Sequence, residues 1–342
     1  MSPVVYGFRS LQEAGRTLKA IAPSQFLHTA KLSRSLLAWY DQHARKLPWR
    51  ENHDPYRVWV SEIMLQQTRV AAVLEHYRRF LKRFPTVRKL ASARESSVLA
   101  AWSGLGYYRR ARMLHAAAKL IVKERQGEFP SDSEGLRRLP GIGRYTAAAI
   151  ASIAYDEPVA LVDGNVERVL ERMSGTRLTG KQTWSIATDL LDSARPGDFN
   201  QAMMELGATI CLPRQPQCLL CPVSGFCAAR GELETNPVTS RQRKRKIYFG
   251  LARRDGHVLL VRRDQKESLM PGMWELPEFP APSRPRSLLS LRHSITVTDY
   301  QVEVVEVSTP GEGTGHWIPV SRLASLPLTG LARKILQRAE FL

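Results

Sequence analysis

The chain has 342 residues, with 50 Lys and Arg against 32 Asp and Glu, which gives a formal net charge of +18. This length is enough for two or three domains with cores of their own. The excess of positive charge predicts a polyanionic partner, with nucleic acid favoured over an anionic membrane surface. We find no apolar run long enough to span a bilayer and no secretory signal, so we expect a cytoplasmic, nucleoid-associated protein.

The first readable helical pattern carries a glutamate among apolar residues. Apolar side chains recur at helical spacing over Val60–Tyr77, which predicts one long helix. Glu62 interrupts this pattern, and on a helix it shares a face with Trp59 and Gln66. No charged residue lies within four positions on either side of Glu62, so its carboxyl group is expected to resist ionisation, as a general acid must near neutral pH. The alternative is a solvated glutamate on an exposed helix face.

A glycine hairpin between two helices is predicted in the middle of the chain. Ser131–Leu139 and Tyr145–Tyr155 have helix-type composition, and Pro140, Gly141 and Gly143 break it. Glycines let the backbone approach an anion, and the amides that open the second helix carry the positive end of its dipole. The hairpin is therefore a candidate phosphate site, with a plain turn as the alternative.

Asp163 follows the second of these helices by a short segment. It precedes Gly164 and Asn165, so one interpretation is an N-cap for a helix that runs to about Met173. The other interpretation is a carboxylate that lies beside DNA held by the hairpin.

All cysteines of the chain fall in one short stretch, in the arrangement C-x6-C-x2-C-x5-C. Such clustering indicates one site, and two structural disulfides are disfavoured because the cytosol keeps thiols reduced. The spacing suits a four-iron four-sulfur cluster or a tetrahedral zinc ion equally well. The four predicted ligands are Cys211, Cys218, Cys221 and Cys227.

The character of the chain changes after the cysteines. Residues 229–246 are turn-rich and then basic, which predicts a linker that is either a solvated tether or a contact to the DNA backbone. Alternating apolar residues at His257–Val261 and Tyr300–Val304 predict strands, and Leu331–Phe341 predicts a closing helix.

One motif in this last part resembles the entry to a Nudix domain, namely Gly272–Pro277. A Nudix hydrolase needs clustered carboxylates to hold magnesium. No Asp or Glu occurs between Glu278 and Asp299, so we do not expect nucleotide hydrolysis.

Taken together, these motifs resemble the MutY-type adenine DNA glycosylases, a branch of the endonuclease III superfamily with a helix-hairpin-helix. The resemblance covers about residues 30–342 and implies an all-α catalytic region followed by a Nudix-like α+β domain. The matching segments are Pro48–Arg50, Asp54–Tyr56, Glu62–Thr68, Gly104–Tyr108, residues 139–165, Glu205–Ala208 and the cysteines. The implied domains are an extension over 1–29, a catalytic region over 30–228, the linker and a lesion-recognition domain over 247–342. Within the catalytic region, the resemblance implies a six-helix barrel at about 52–162 and a cluster-bearing subdomain at about 30–51 and 163–228.

The resemblance also implies an activity, which is the excision of adenine mispaired with 8-oxoguanine or guanine. Glu62 matches the residue that protonates adenine at N7, and Asp163 matches the residue that stabilises the sugar cation. Tyr145 stands where bifunctional relatives carry a nucleophilic lysine, which implies base removal without strand cleavage. The four cysteines match ligands of one 4Fe-4S cluster, and this favours the cluster over zinc.

Further residues match positions of this family that line the pocket or contact DNA. Tyr145 and Asn165 match pocket residues, and Glu205 matches a residue that contacts the adenine. His293 is the only match to the Phe-Ser-His loop that inspects 8-oxoguanine. Residues that match those entering the duplex are Leu65, Gln67, Thr68 and Tyr107. The remaining predicted DNA contacts are Arg45, Trp49, Arg50, Gly141 and Gly143.

The chemistry of base removal is consistent with two carboxylates of different pKa. A purine leaves poorly as an anion, so an acid must neutralise it, and the oxocarbenium-like centre needs a nearby negative charge. The base must also be extruded, which requires wedge residues such as Tyr107, although adjacent tyrosines are otherwise often core aromatics. The alternatives are a mismatch glycosylase that acts on thymine and a non-catalytic DNA-binding iron–sulfur protein. The expected partner is duplex DNA with an adenine mispair, bound by a monomer.

Overall fold

A computed structural model of the chain describes residues 26–233, 243–267, 269–280, 287–295, 298–307 and 315–342. Most of the predicted N-terminal extension lies outside these residues, but its last residues already belong to the first helix. Within the described residues, no helix combines the length and the apolar character needed to cross a membrane.

Residues 26–233 are helical and share one buried core. Its largest fully buried side chains include Trp59, Phe80 and Trp102. Short 3-10 turns occur at Pro48–Arg50 and around the cysteines. The helices of this part are α1 (Phe26–His43), α2 (Pro55–Leu65), α3 (Val70–Arg83), α4 (Val87–Ala91), α5 (Glu95–Trp102), α6 (Arg109–Arg125), α7 (Ser133–Arg137), α8 (Arg144–Tyr155), α9 (Gly164–Ser174), α10 (Gly180–Leu190) and α11 (Pro196–Thr209).

The single long helix predicted from Val60 onward is wrong. Helix α2 ends at Leu65 and α3 begins at Val70, so the pattern belongs to two helices. Between them Gln67 adopts a left-handed backbone with φ of 54°, which a right-handed α-helix excludes. The apolar spacing continues across the break because both helices bury a face in the same core. The consequence is a partly exposed turn directly after the helix that carries Glu62.

The helix packing brings the predicted site residues toward one another. Helix α2, which carries Glu62, packs against α8, which carries Tyr145. Helix α9 begins directly after Asp163 and packs against α11. The helices predicted on either side of the glycine hairpin are confirmed as α7 and α8, although α7 is shorter than expected.

The rest of the chain forms two β-sheets. Their strands are β1 (Arg243–Leu251), β2 (Arg253–Arg254), β3 (His257–Arg262), β4 (Trp274–Glu275), β5 (Glu278–Phe279), β6 (Ser287–Ile295), β7 (Thr298–Glu306) and β8 (Gly315–Pro319). One sheet has the order β5-β1-β7-β6, with β1 parallel to β7, and the other has the order β2-β3-β4 with β8 also paired to β3. Helices α12 (Val320–Leu323) and α13 (Gly330–Arg338) complete this part.

These elements confirm the predicted strands and the closing helix. They also change the predicted linker, because its last four residues, from Arg243 to Lys246, already belong to β1 and pair with β7. Residues 234–242 of the linker lie outside the described residues.

The sheet-containing part makes specific contacts with the helical part. The backbone carbonyl of Leu328 accepts hydrogen bonds from Ser103 Oγ at 2.8 Å and from Tyr108 Oη at 2.9 Å. Arg333 Nε donates to Ser103 Oγ at 2.8 Å. Met273 is fully buried within the helical core. The second part of the chain is therefore anchored on the segment that precedes and includes the two adjacent tyrosines.

Candidate active site

Glu62 lies in the middle of α2 with only 5% of its surface exposed. Tyr145 Oη donates a hydrogen bond to its Oε2 at 2.7 Å. Burial raises the pKa of Glu62 to about 7, against the opposing effect of the Tyr145 hydrogen bond. This burial agrees with the expected resistance of the carboxyl group to ionisation, and the solvated alternative is wrong. Near neutral pH a large share of Glu62 is therefore protonated and able to donate a proton.

Tyr145 joins Glu62 to helix α11. Its hydroxyl lies 2.7 Å from Glu62 Oε2 and 3.3 Å from the sulfur of Met204. Burial, followed by the charges of Glu62 and Asp163, raises the pKa of Tyr145 well above its ordinary value. The phenol consequently stays neutral and remains a hydrogen-bond donor. Met204 is a neighbour that the sequence analysis did not identify, because nothing in its local pattern distinguishes it from a core methionine.

Asp163 is the N-cap of α9 and also belongs to the same site as Glu62. Its Oδ1 accepts from the backbone N–H groups of Asn165 at 2.9 Å and Val166 at 2.7 Å, and its Oδ2 accepts from Asn165 Nδ2 at 3.0 Å. The negative charge of Asp163 contributes to raising the pKa of both Glu62 and Tyr145. The predicted N-cap is therefore confirmed. The same carboxylate also acts electrostatically on Glu62, so capping α9 does not prevent Asp163 from influencing the site.

Asn165 is oriented by an arginine that the sequence analysis did not identify. Arg168 Nη2 donates to Asn165 Oδ1 at 2.8 Å and to the carbonyl of Gly207 at 2.7 Å. Arg168 Nε donates to the carbonyl of Cys211 at 2.9 Å. This arginine connects the first cysteine of the cluster motif, through Asn165, to Asp163. Its only sequence signal is the three-residue helical spacing from Asn165.

The four cysteines are half-buried free thiols. Burial, followed by the charges of the other three cysteines, raises the pKa of Cys221. Arg172 Nη1 lies 3.2 Å from Cys211 Sγ. Among the residues that the structure describes, no set of three His, Cys, Asp or Glu side chains has the arrangement of a metal site. Four cysteine sulfurs are nevertheless the type of donor that an iron–sulfur cluster or a zinc ion takes.

Glu205 forms a network with Arg45 and Arg50, two residues that were predicted to contact DNA. Glu205 is 1% exposed, and Arg45 Nε and Nη2 donate to its two oxygens at 2.6 and 2.8 Å. Arg50 Nη2 donates to Oε2 at 3.0 Å. In this structure Glu205 thus has its carboxylate oxygens bound to the protein, and the positions of Arg45 and Arg50 indicate that they fix α11 to the segment before α2. Direct contacts of all three with adenine or DNA stay predictions.

The aromatic residues singled out in the sequence differ in how far they are buried. Trp49 is 7% exposed and packs edge-on against Tyr77, with ring centroids 5.4 Å apart. The ring is enclosed by the core in this structure, and a contact of Trp49 with DNA stays a prediction. Tyr108 is also buried, whereas Tyr107 has 49% of its surface exposed. Of the two adjacent tyrosines, the first is available to DNA and the second packs.

The glycine hairpin provides an open backbone surface at the start of α8. Gly141 has φ of 77°, and a Cβ atom there would lie 2.6 Å from Met113 Cβ, so the turn requires glycine. Gly143 is the N-cap of α8, no side chain caps this helix, and a Cβ there would meet nothing within 4 Å. The start of α8 is therefore open at Gly143 and has no side-chain cap, as a phosphate site at a helix N-terminus requires.

A cavity of about 1100 Å³ lies between the helical part and the sheet-containing part. Its lining includes Gln67, Tyr107 and Gly141 from the first part and His293 from the second. Glu62 does not line the cavity, but its neighbours on α2 do. His293 lies on β6 rather than in a loop, and burial followed by the charge of a nearby lysine lowers its pKa. Among the remaining predicted wedge residues, Leu65 ends α2 and Thr68 lies in the turn that follows.

Known proteins resemble this chain over the region just described. Residues 60–191 match the family described as HhH-GPD superfamily base excision DNA repair protein. The adenine DNA glycosylase of Homo sapiens is 49% identical over 215 residues, which cover 58% of this chain and 39% of that protein. The adenine DNA glycosylase of Buchnera aphidicola subsp. Baizongia pistaciae (strain Bp) is 34% identical over 269 residues, which are 75% of each chain. The chain belongs to the adenine DNA glycosylase family. It nevertheless spans less than half the length of the mammalian relatives it matches.

The solved structures support the fold of this glycosylase family member. A thermostable thymine-DNA glycosylase is 28% identical, with a TM-score of 0.57, and the match covers 60% of this chain and 98% of the other. Together with the family match, this similarity confirms the predicted all-helical helix-hairpin-helix core.

Proposed function

We propose that the chain is a monofunctional DNA glycosylase that removes adenine mispaired with 8-oxoguanine or guanine in duplex DNA. The observation that carries this proposal is the buried Glu62, whose pKa is raised to about 7 by burial and, to a smaller extent, by the charge of Asp163. An acid that is protonated near neutral pH and a nearby carboxylate are the two groups that purine removal needs. The names of the relatives supply the base that is removed.

In the proposed reaction, protonated Glu62 transfers its proton to N7 of an extruded adenine. The bond between C1′ and N9 then breaks, and its electron pair leaves with the base, which departs as neutral adenine. The positive charge that remains is shared by C1′ and the ring oxygen of the sugar, and the carboxylate of Asp163 stabilises it. A water molecule adds to C1′ and loses a proton, which restores the acid. Asn165 orients Asp163 through the hydrogen bond to Oδ2.

The presence of a tyrosine at position 145, instead of a lysine, supports the proposal that the DNA strand stays intact. A bifunctional glycosylase uses an amine to form a Schiff base with the sugar, and a phenol cannot form one. Because the hydroxyl of Tyr145 is buried and donates to Glu62, its proposed role is to hold the acid in place.

The proposed DNA-binding surface combines the hairpin, the turn around Gln67, Tyr107 and the sheet-containing part. The net charge of +18 favours a polyanion, and the cavity between the two parts of the chain supplies a groove. The proposed division is a catalytic region over 30–228 and a Nudix-like lesion-recognition domain over 247–342. His293 faces the cavity, which supports its proposed contact with 8-oxoguanine.

One 4Fe-4S cluster is proposed on the four cysteines, and when bound it would brace the surrounding loop rather than take part in base removal. Arg168 and Arg172 already hold this loop to α9, through the carbonyls of Cys211, Leu212 and Pro213. Iron and sulfide analysis with visible absorbance tests this assignment. Four iron atoms per chain are expected, and stoichiometric zinc would contradict it.

The decisive experiment is base release from defined duplexes by the purified full chain. Adenine is expected to leave when it stands opposite 8-oxoguanine, and the abasic strand should stay uncut until alkali is added. Matched duplexes with thymine opposite guanine address the alternative suggested by the thymine-DNA glycosylase structure. Thymine release without adenine release, or efficient trapping of a covalent complex with borohydride, would overturn the proposal.

A further inference from the structure

Arg110 lies at the start of α6, and its side chain binds carbonyl groups at the C-terminal end of α2. Its Nη1 donates to the carbonyls of Ile63 at 2.9 Å and Met64 at 3.1 Å, and also to the carbonyl of Gln66. Its Nη2 donates to Thr68 Oγ1 at 3.2 Å. One guanidinium group thus satisfies the last carbonyls of α2 and binds the turn that follows them.

The same guanidinium also binds the second turn that is predicted to enter DNA. Arg110 Nη2 lies 3.4 Å from the carbonyl oxygens of both Leu105 and Gly106. Its central carbon lies 5.3 Å from the centroid of the exposed Tyr107 ring and 5.6 Å from that of Trp102. Trp102 Nε1 shares the Gly106 carbonyl at 3.1 Å. Arg110 is therefore a bridge between two turns that are about forty residues apart in sequence.

The two turns have the same backbone feature next to Arg110. Gln67 has φ of 54° and Tyr107 has φ of 48°, so each turn holds a non-glycine residue in the left-handed region. Such a conformation is unfavourable for residues other than glycine and persists only where its surroundings enforce it. In both turns the carbonyl directly before the left-handed residue, that of Gln66 or Gly106, accepts a hydrogen bond from Arg110.

The environment of Arg110 indicates a role other than stabilising the fold. Its hydrogen-bond acceptors are carbonyls and one hydroxyl, with no carboxylate among the described partners. Burial lowers its pKa to about 10, and its Nε is buried without a partner. A buried cation carries a desolvation penalty that a well-packed apolar side chain would avoid. The feature that an apolar residue could not provide is the fork of N–H groups that reaches both turns.

We propose that Arg110 is a positioning residue that joins the turn around Gln67 and the turn around Tyr107 into one rigid wedge, so that base extrusion depends on it. This inference rests on the proposed glycosylase function. Arg110 does not touch the reacting atoms, and Glu62 and Asp163 keep their own contacts without it. Its loss should therefore affect extrusion of the adenine far more than cleavage of an adenine already outside the stack.

The test compares two duplexes with the same adenine opposite 8-oxoguanine. In one duplex the flanking base pairs are intact, and in the other they are mismatched, which lowers the cost of extrusion. Single-turnover release is measured for the wild-type chain, Arg110→Lys and Arg110→Met. Arg110→Lys keeps the charge but presents one ammonium group in place of the fork, so it should lose about tenfold or more on the intact duplex and less than about threefold on the mismatched one. Arg110→Met should show a larger difference in the same direction.

The matched control is Arg125→Lys, which changes an exposed arginine at the other end of the same helix and should leave both rates unchanged. An equal loss on both duplexes would show a merely structural role and overturn the inference, as would unchanged release by Arg110→Lys on the intact duplex. If Arg110→Met does not fold, the Lys variant decides. A wild-type chain that releases adenine from neither duplex would instead overturn the proposed function on which the inference depends.

Discussion

Glu62 and Asp163 carry the same functional group in opposite surroundings. Glu62 lies inside α2, where the backbone N–H groups are already bonded within the helix, and among the described residues its side chain accepts from the phenol of Tyr145. Asp163 lies just before α9, where two free backbone N–H groups and one amide side chain donate to it. Burial at the first position raises the pKa of Glu62 and favours its neutral form, whereas the second position supplies three N–H donors to the side chain of Asp163. The proposed division into one acid and one anion therefore agrees with the place of each residue relative to its helix.

The largest expected effect comes from removing the acid. Glu62→Gln keeps the size of the side chain and an oxygen that can accept from Tyr145, but it has no proton of the required acidity. Adenine release in a single turnover should fall about 10³-fold, within the range for loss of a general acid. Binding to the same duplex, measured by fluorescence anisotropy, should be unchanged. A loss below tenfold would mean that the proton comes from elsewhere.

A somewhat smaller loss is expected from neutralising the anion. Asp163→Asn removes the charge that faces the sugar cation, so release should fall about 10²-fold. Asn is as good an N-cap as Asp, so the free energy of unfolding should hardly change. Asp163→Ala is the matched comparison, because it loses both the charge and the cap and should also lower stability by about 1 kcal/mol. Equal stability of the Ala and Asn variants would argue against the cap.

The pH dependence follows from the acid alone. With a pKa of about 7, Glu62 loses its proton as the pH rises, so release should fall about tenfold for each pH unit well above that value. The free energy of unfolding should fall with rising pH as well. A carboxyl group whose pKa is raised on folding stabilises the protein fully at pH values below its ordinary pKa of 4.5. That contribution, about 3 kcal/mol, is lost as the pH rises through about 7. Both trends should be absent in Glu62→Gln, measured by release rates and urea unfolding between pH 5 and about 8.5.

The smallest expected effect concerns the donor to Glu62. The hydrogen bond from Tyr145 lowers the pKa of Glu62, so Tyr145→Phe should raise it further. The alkaline limb of the rate profile should move to higher pH, and release at neutral pH should fall only a few-fold, as expected from losing one hydrogen bond. A shift of the limb to lower pH would contradict this assignment of the donor.

The sequence predicted the site where short-range information was sufficient. The lack of charges around Glu62 and the Asp-Gly-Asn start of α9 are local signals, and both describe the surroundings that the structure shows. The network of Glu205 with Arg45 and Arg50 joins residues about 160 positions apart, and only the tertiary fold brings them together.

Other features were hidden because the sequence pattern fits more than one structure. The continuous apolar pattern from Val60 onward fits two helices as well as one. The break between α2 and α3 is seen only in the structure, where Gln67 has a left-handed backbone. Arg110 stands in a basic run with exposed Arg109, so composition gives no reason to separate the two. The core position of Trp49 depends on packing against Tyr77, which its Pro-Trp-Arg motif does not indicate.

The peptide carbonyl of Leu328 has a practical implication for work with shortened forms of the protein. Both Ser103 and Tyr108 donate to it, so removal of residues 243–342 would take the acceptor away from two hydroxyls that lie close to Tyr107 in sequence. The activity of such a truncated protein would then reflect a disturbed turn at Tyr107 as well as the loss of the lesion contact proposed for His293. Point changes on the cavity wall are the cleaner way to separate these two contributions.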